Sequence, residues 1–390
     1  MRRSFASLLV LFLTIGVYAR QNTRPVTLQV ADATVERWAG EHIGEKNTTA
    51  AWGFEPGIVL AGMGAVWETT KDPRYLTYIK QAVDQWVQQD GSIKTYDAKT
   101  YLLNNILIGR ELLLLERETH EEKYRVAAEA LHKQLATQPR TVSGGMWHAQ
   151  ATPNLMLLDD EFMFAPFYAE YAQKFKRPND LDDVARQFAL LDANARDPRT
   201  GLMYHGWDES REAAWANRKT GTSPNLWARG MGWYLMGLVD TLQYLDDNDV
   251  HRAALLEIFR RTSEAVERAQ DKDSALWYQI LDKPHLPGNY IESSSVLMFT
   301  YAFGKGARLG YLPARYHADA ERAWRAILKR FVQTDPQGHV ILTGTVTHIA
   351  MGAAPENNGS DAYYLKAPIV SDDPKGLGAF LLAGSEMELR

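Results

Sequence analysis

Apolar residues along this chain recur at steps of three and four far more often than at steps of two, which predicts helices rather than strands. In "YLTYIKQAVDQWV" the apolar face is Tyr75, Ile79, Val83 and Trp86. In "EKYRVAAEALHKQL" it is Tyr124, Ala127, Ala128 and Leu131. The stretches "DLDDVARQFALLDANA", "HRAALLEIFRRTSEAVERA" and "RYHADAERAWRAILKRFV" have a similar polar face opposite one able to pack.

A weak repeat runs through these helices. An apolar helix ends in a polar joint and a second helix begins, at "VWETTKDPRY", "LLERETHEEKY", "YAQKFKRPNDL", "LQYLDDNDVHR" and "GKGARLGYLPARY". The joints lie roughly 50 to 70 residues apart, twice a helix plus its loop, so about six helical hairpins fill the chain. A closed, all-α ring of hairpins follows, with apolar inner helices and amphipathic outer ones. An open solenoid is the competing arrangement, but the insertions between pairs are irregular for a stack of equal repeats. No interdomain linker is visible, which favours one domain over two.

The first nineteen residues break the pattern. "MRR" is followed by the apolar "LLVLFLTIGV" and the small-residue exit "VYA", the form of a secretory signal cleaved after Ala19. An uncleaved anchor is the alternative, although the run is short for a membrane span. Residues 20–390 would then be the exported domain, periplasmic or extracellular, without stable membrane insertion. The chain contains no cysteine, which excludes disulfides, a thiol nucleophile and thiolate zinc sites. Its formal charge is −5, and no basic tract offers a surface for nucleic acid. An acidic ligand would therefore need local donors.

Chemistry concentrates between the helices, in "AWGFEPG" with Trp52, "SGGMWHAQ" with His148, "GLMYHGWDES" with His205, "TSPNLWARGMGW" and "PGNYIESSS". Glycine there permits tight turns, and tryptophan presents a broad apolar face with one donor. Together they describe a polar-aromatic cavity. His148 and His205 each adjoin a tryptophan and serve either structure or ligand. Arg229 in "WARGMGW" can grip a carboxylate or make a structural ion pair. No His-Glu-x-x-His run, Gly-x-Ser-x-Gly elbow or Gly-rich nucleotide cradle is present, so no metal or other cofactor is expected.

One stretch, "LLDDEFMFAPF", sets Asp159 and Asp160 in an apolar run. Spacing puts Asp159, Phe162 and Met163 on one inward face of a helix. Either aspartate could cap that helix. A carboxyl partly withdrawn from water could instead deliver a proton. Asp160 reads as the cap or a surface neighbour.

Taken in order, "GGMWH", "LLDDEFMFAPF", "GLMYHGWDES", "SPNLWARGMGW", "GNYIESSS" and "SDDPKGLGAFLLA" resemble the unsaturated glycuronyl hydrolases, especially the rhamnogalacturonyl branch of glycoside hydrolase family 105, related to family 88. The resemblance implies a single (α/α)6 barrel with its site at the open end. It also implies an oligosaccharide substrate ending in a 4,5-unsaturated uronic acid. Asp159 resembles the family acid, which protonates C4 of the enol ether before water adds at C5. His148 and His205 resemble residues that hold the acid or sugar hydroxyls. Trp215, Trp227 and Arg229 resemble pocket residues that pack the ring and meet its carboxylate. Glu292 falls near the barrel interior.

Two positions depart from the family pattern. Asn104 in "YLLNNILIGREL" stands where an aspartate is usual, and Met231 where an asparagine is. Asn104 can still bind a sugar hydroxyl but supplies no charge. Two other readings stay open: an ordinary two-carboxylate glycosidase, with Asp208 or Glu292 as second acid, and a non-catalytic helical glycan-binding protein.

Overall fold

The computed structural model describes residues 24–39, 43, 51–336, 338–352 and 356–390; the leader lies outside them. Six helices form an inner ring: α2 (Phe54–Thr70), α4 (Gly109–Thr119), α6 (Asp160–Lys174), α8 (Ala228–Thr241), α10 (Ser293–Arg308) and α13 (Pro374–Met387). Each packs on the next, and α13 returns to α2, closing an (α/α)6 barrel. Outside them lie α1 (Val26–Arg37), α3 (Pro73–Val83), α5 (Glu122–Ala136), α7 (Pro178–Ala195), α9 (Arg252–Arg268) and α11 (Arg315–Phe331).

Burial separates the rings as the patterning expects. In α10 every residue from Ser293 to Gly306 is buried, whereas α11 buries Tyr316, Asp319, Ala320, Ala323, Trp324, Ile327 and Phe331 and turns its other charges to solvent. Helix α3 ends at Val83, so Trp86 of the expected stripe lies beyond it and instead meets Trp52 edge-on at 6.0 Å. The α2–α13 seam that closes the ring is backbone against backbone. A Cβ on Gly378 would lie 2.4 Å from the Ile58 carbonyl oxygen, and one on Gly62 would lie 2.8 Å from that of Gly378.

Strands are few and short: β1 (Leu155–Leu157) with β2 (Gly206–Asp208), β3 (Val332–Thr334) with β4 (Val340–Leu342), and β5 (Thr345–Val346) with β6 (Ile369–Val370), all antiparallel. A short helix, α12 (Asp361–Lys366), lies between β5 and β6.

The two ends of the barrel differ chemically. Inner-helix N-termini converge on one end. Towards the other, Asp240 is wholly buried and accepts from Lys305 Nζ and Tyr301 OH at 2.7 Å each, with Arg110 Nη1 2.9 Å from its second oxygen. Beside Arg110, burial pushes the Glu111 carboxyl up to about 8 against the opposing pull of that arginine.

Candidate active site

The β1–β2 ribbon positions the acid. Its register pairs Leu157 with Gly206, and one further bond, Leu158 N–H to the His205 carbonyl at 3.0 Å, carries the pairing to the residue before Asp159. Asp159 is therefore delivered beside His205 at the head of α6. Its Oδ2 lies 3.1 Å from His205 Nε2, and its side chain stays 15% exposed, enough to reach a ligand. The carboxylate makes no cap bond to α6, so of the two roles open in sequence, capping is not the one it performs. Gly230 lets α8 approach: a Cβ there would sit 3.2 Å from Asp159 Oδ2 and 3.1 Å from His205 Cδ2.

Asp160 is neither cap nor surface neighbour. It is 2% exposed and faces away from its twin, with Oδ1 2.7 Å from His148 Nδ1 and Oδ2 accepting from the Leu157 N–H at 3.3 Å. Burial works against charge on His148, but the Asp160 carboxylate, its hydrogen bond and the Asp159 charge outweigh it, so the His148 pKa is raised. The neighbouring carboxylates thus differ in role because Asp160 is shut in against His148, whereas Asp159, beside His205, opens on a cavity.

That cavity, of about 340 Å³, is lined by Trp52, Asn104, Asn105, His148, Asp159, Met163, His205, Trp227, Arg229, Trp233, His348 and Lys375, among others. Met163 comes one turn after Asp159, as the helical spacing expects. Asp159 is the one carboxylate among the described lining residues. Asp208 and Glu292 are both spent elsewhere. Asp208 accepts from Ser210 N–H, Ser210 Oγ and Ala213 N–H. Glu292, with no exposure, caps α10 through Ser294 and Ser295 and accepts from the Val346 N–H.

The tryptophans divide. Trp52 lines the cavity and donates to the Asn105 carbonyl at 2.6 Å. Trp227 also lines it, but Tyr364 stacks on its ring at 5.4 Å and the Arg229 guanidinium lies 4.9 Å from its centroid, so its ring already carries protein partners. Trp215 is not on the wall. It is 8% exposed and packs behind it with Leu155, Leu157, Ala216 and Met351. Its place under the ribbon corrects the expectation of direct ring packing.

Arg229 reaches the cavity, yet two of its nitrogens are engaged. Nη1 donates to the Val346 carbonyl at 2.6 Å and Nη2 to that of Thr347 at 2.7 Å, with Glu292 Oε1 3.6 Å from Nη1. It clamps the segment after β5, and that segment brings His348 to the wall. Sequence reasoning missed His348, whose burial, with Lys375 and Arg229 nearby, lowers its pKa to about 4 and keeps it neutral. Lys375 was passed over inside a quoted motif; its ammonium is held 3.0 Å from Asp373 and 3.3 Å from Glu55. Of the two departures, Asn104 faces the cavity, whereas Met231 is buried in the main core.

Comparison with known proteins gives the family and the fold. The profile of Glycosyl Hydrolase Family 88 matches residues 26–390. The chain belongs to that family. This family 88 glycosidase superimposes on a family 105 glycoside hydrolase from Clostridium acetobutylicum ATCC 824 with a TM-score of 0.88 and 38% identity, covering 94% of this chain and 99% of the other. It is 41% identical over 230 residues to protein Atu3128 of Agrobacterium fabrum, covering 57% of this chain and 97% of that protein. It is 27% identical over 251 residues to the unsaturated rhamnogalacturonyl hydrolase YesR of Bacillus subtilis, covering 63% and 68%. The (α/α)6 fold and the glycosidase class expected from the motifs both hold for this family 88 member.

Proposed function

We propose that the protein removes a terminal 4,5-unsaturated uronic acid from lyase-generated oligosaccharides, with Asp159 as the acid. The observation that carries this reading is that Asp159, at the head of α6, is the one carboxylate among the described residues of the cavity wall. A conventional glycosidase flanks the scissile bond with two carboxyl groups. An enol ether needs one proton donor that can afterwards accept a proton. Asp159 protonates C4, leaving an oxocarbenium at C5. Water adds there and returns its proton to the Asp159 carboxylate. The resulting hemiketal opens, and the hemiacetal left at C1 expels the shortened sugar.

The charge distribution supports an anionic terminal ring. The heads of the inner helices α2, α6, α8 and α13 supply Gly53 and Phe54, Asp159, Arg229 and Lys375 to the cavity wall. The positive ends of those helices favour a carboxylate, as does His148 with its raised pKa. Within this proposal Trp52, Asn104, His205 and Trp227 contact the sugar or hold the acid, and Trp215 backs the wall.

Incubation with unsaturated galacturonyl and glucuronyl disaccharides tests the reading by loss of the absorbance of the conjugated double bond. Turnover of saturated disaccharides alone would transfer the protein to the two-carboxylate class. Tight binding of either without product would make it a glycan-binding protein. Export belongs to the same proposal: residues 1–19 are a signal, and 20–390 the exported catalytic domain. Amino-terminal sequencing of periplasmic or secreted material should begin at Arg20; full-length protein confined to the cytoplasm would overturn export.

A further inference from the structure

Tyr364 stands outside every motif named in the sequence, yet it ends a chain of contacts that begins at Asp159. Its hydroxyl lies 2.7 Å from His205 Nδ1, and His205 Nε2 lies 3.1 Å from Asp159 Oδ2. Tyr364 and His205 are 0% and 1% exposed, and Trp227 packs against both, at 5.4 and 4.5 Å. Burial, followed by the charge of Asp159, pushes the Tyr364 pKa well above its ordinary value, so the hydroxyl keeps its proton.

We infer that Tyr364 is a positioning residue that fixes the tautomer of His205. Its O–H donates to Nδ1, which leaves the ring proton on Nε2, 3.1 Å from Asp159 Oδ2, a buried oxygen that no aligned hydrogen bond reaches in this structure. The other acid oxygen, Oδ1, is then the one that carries the reacting proton. When that proton moves to C4, the Nε2–H stabilises the carboxylate left behind. No bond in the relay breaks. The imidazole stays neutral, and the only proton transferred is that of Asp159.

The opposite tautomer fits the site less well. With the proton on Nδ1, the Tyr364 hydroxyl would turn to Met351 Sδ at 3.9 Å, a weak acceptor. A bare Nε2 would then hold the Asp159 proton on Oδ2, away from the substrate. Other groups around this pair are committed. His148 is tied to Asp160, and Arg229 to Glu292 and the carbonyls of Val346 and Thr347. Lys375 is tied to Asp373 and Glu55, and His348 is neutral.

The segment that carries Tyr364 is fastened independently. Tyr363 OH donates to the Ala350 carbonyl at 2.6 Å, and Lys283 Nζ lies 2.6 Å from Asp361. The wall of the cavity and the tautomer of the acid's partner thus come from one stretch of chain.

The inference rests on Asp159 as the acid, but its first test needs no substrate. Nitrogen-15 NMR of the full protein labelled at histidine, with His205 assigned by its loss in His205→Gln, should show Nε2 protonated and Nδ1 as acceptor near neutral pH. A proton on Nδ1, or on both nitrogens, would overturn it. In the second test, Tyr364→Phe should lower kcat by about tenfold or more while KM stays within about threefold. The alkaline limb of its kcat profile should move to higher pH, because ionisation of the acid loses its donor. A variant that only melts earlier, with kcat and that limb unchanged, would reduce Tyr364 to a structural role. Wild-type protein inert on every unsaturated uronide would sink the functional reading and leave the NMR result standing.

Discussion

Arg229 Nη1 donates to the Val346 carbonyl oxygen at 2.6 Å, so the guanidinium at the head of α8 holds down the chain that walls the cavity. Because Glu292, Ser294 and the Thr347 carbonyl complete the arrangement, the arginine is a joint in the site as much as a ligand group.

Replacing Arg229 by methionine should therefore cost stability as well as substrate affinity. Glu292 would be left buried without its cationic neighbour, a loss of about 3–5 kcal/mol. Denaturant melts should show the drop, and KM should rise as the His348 segment loosens. An unchanged melt with raised KM would instead mark Arg229 as a ligand group alone.

Asp159→Asn keeps the size of the side chain and removes its proton chemistry. Turnover of unsaturated disaccharides should fall by about 10²–10⁴-fold with the helical circular dichroism unchanged. Retained turnover would remove Asp159 from the acid role.

The closing seam makes a prediction of its own. Gly378→Ala puts a methyl against the Ile58 carbonyl with no flexible side chain to yield. The cost should be about 1–3 kcal/mol in a chemical melt, with the site chemistry unaltered.

Stability should also depend on pH at both flanks. His348 titrates at about 4 in the folded protein against an ordinary 6.5. Below 6.5 the unfolded chain binds a proton that the native state refuses, so stability is lost as pH falls from about 6.5 to 4. Glu111 is the mirror case, at about 8 against 4.5. There the native state holds the extra proton, and stability is lost as pH rises from about 4.5 to 8. His348→Asn should flatten the acid slope and Glu111→Gln the alkaline one, read from melting temperatures across that range.

Much of this was legible in the residues. Inner and outer helices announce themselves because burial on all sides and burial on one side leave different patterns, as in α10 and α11. The ribbons did not, since two- and three-residue strands such as β5 and β1 are too short for alternation to register. At the site, motif position led to Asp159, His148 and Asn104, all of which reach the cavity. Arg229 reaches the cavity too, but its hold on the Val346 and Thr347 carbonyls was not legible, because backbone partners leave no mark in sequence. His348 and Tyr364 were invisible for a related reason: a lone histidine in "TVTHIAM" and a tyrosine in "DAYYLK" gain meaning only when a distant loop folds over α8.

The glycine seam joins the first inner helix to the last, so the ring cannot close before α13 is made. The first inner helix is synthesised early and finds its closing partner only when the last one emerges, more than three hundred residues later. Until then its oily flank has nowhere to hide. The last helix to leave the ribosome is thus the one that shuts the circle.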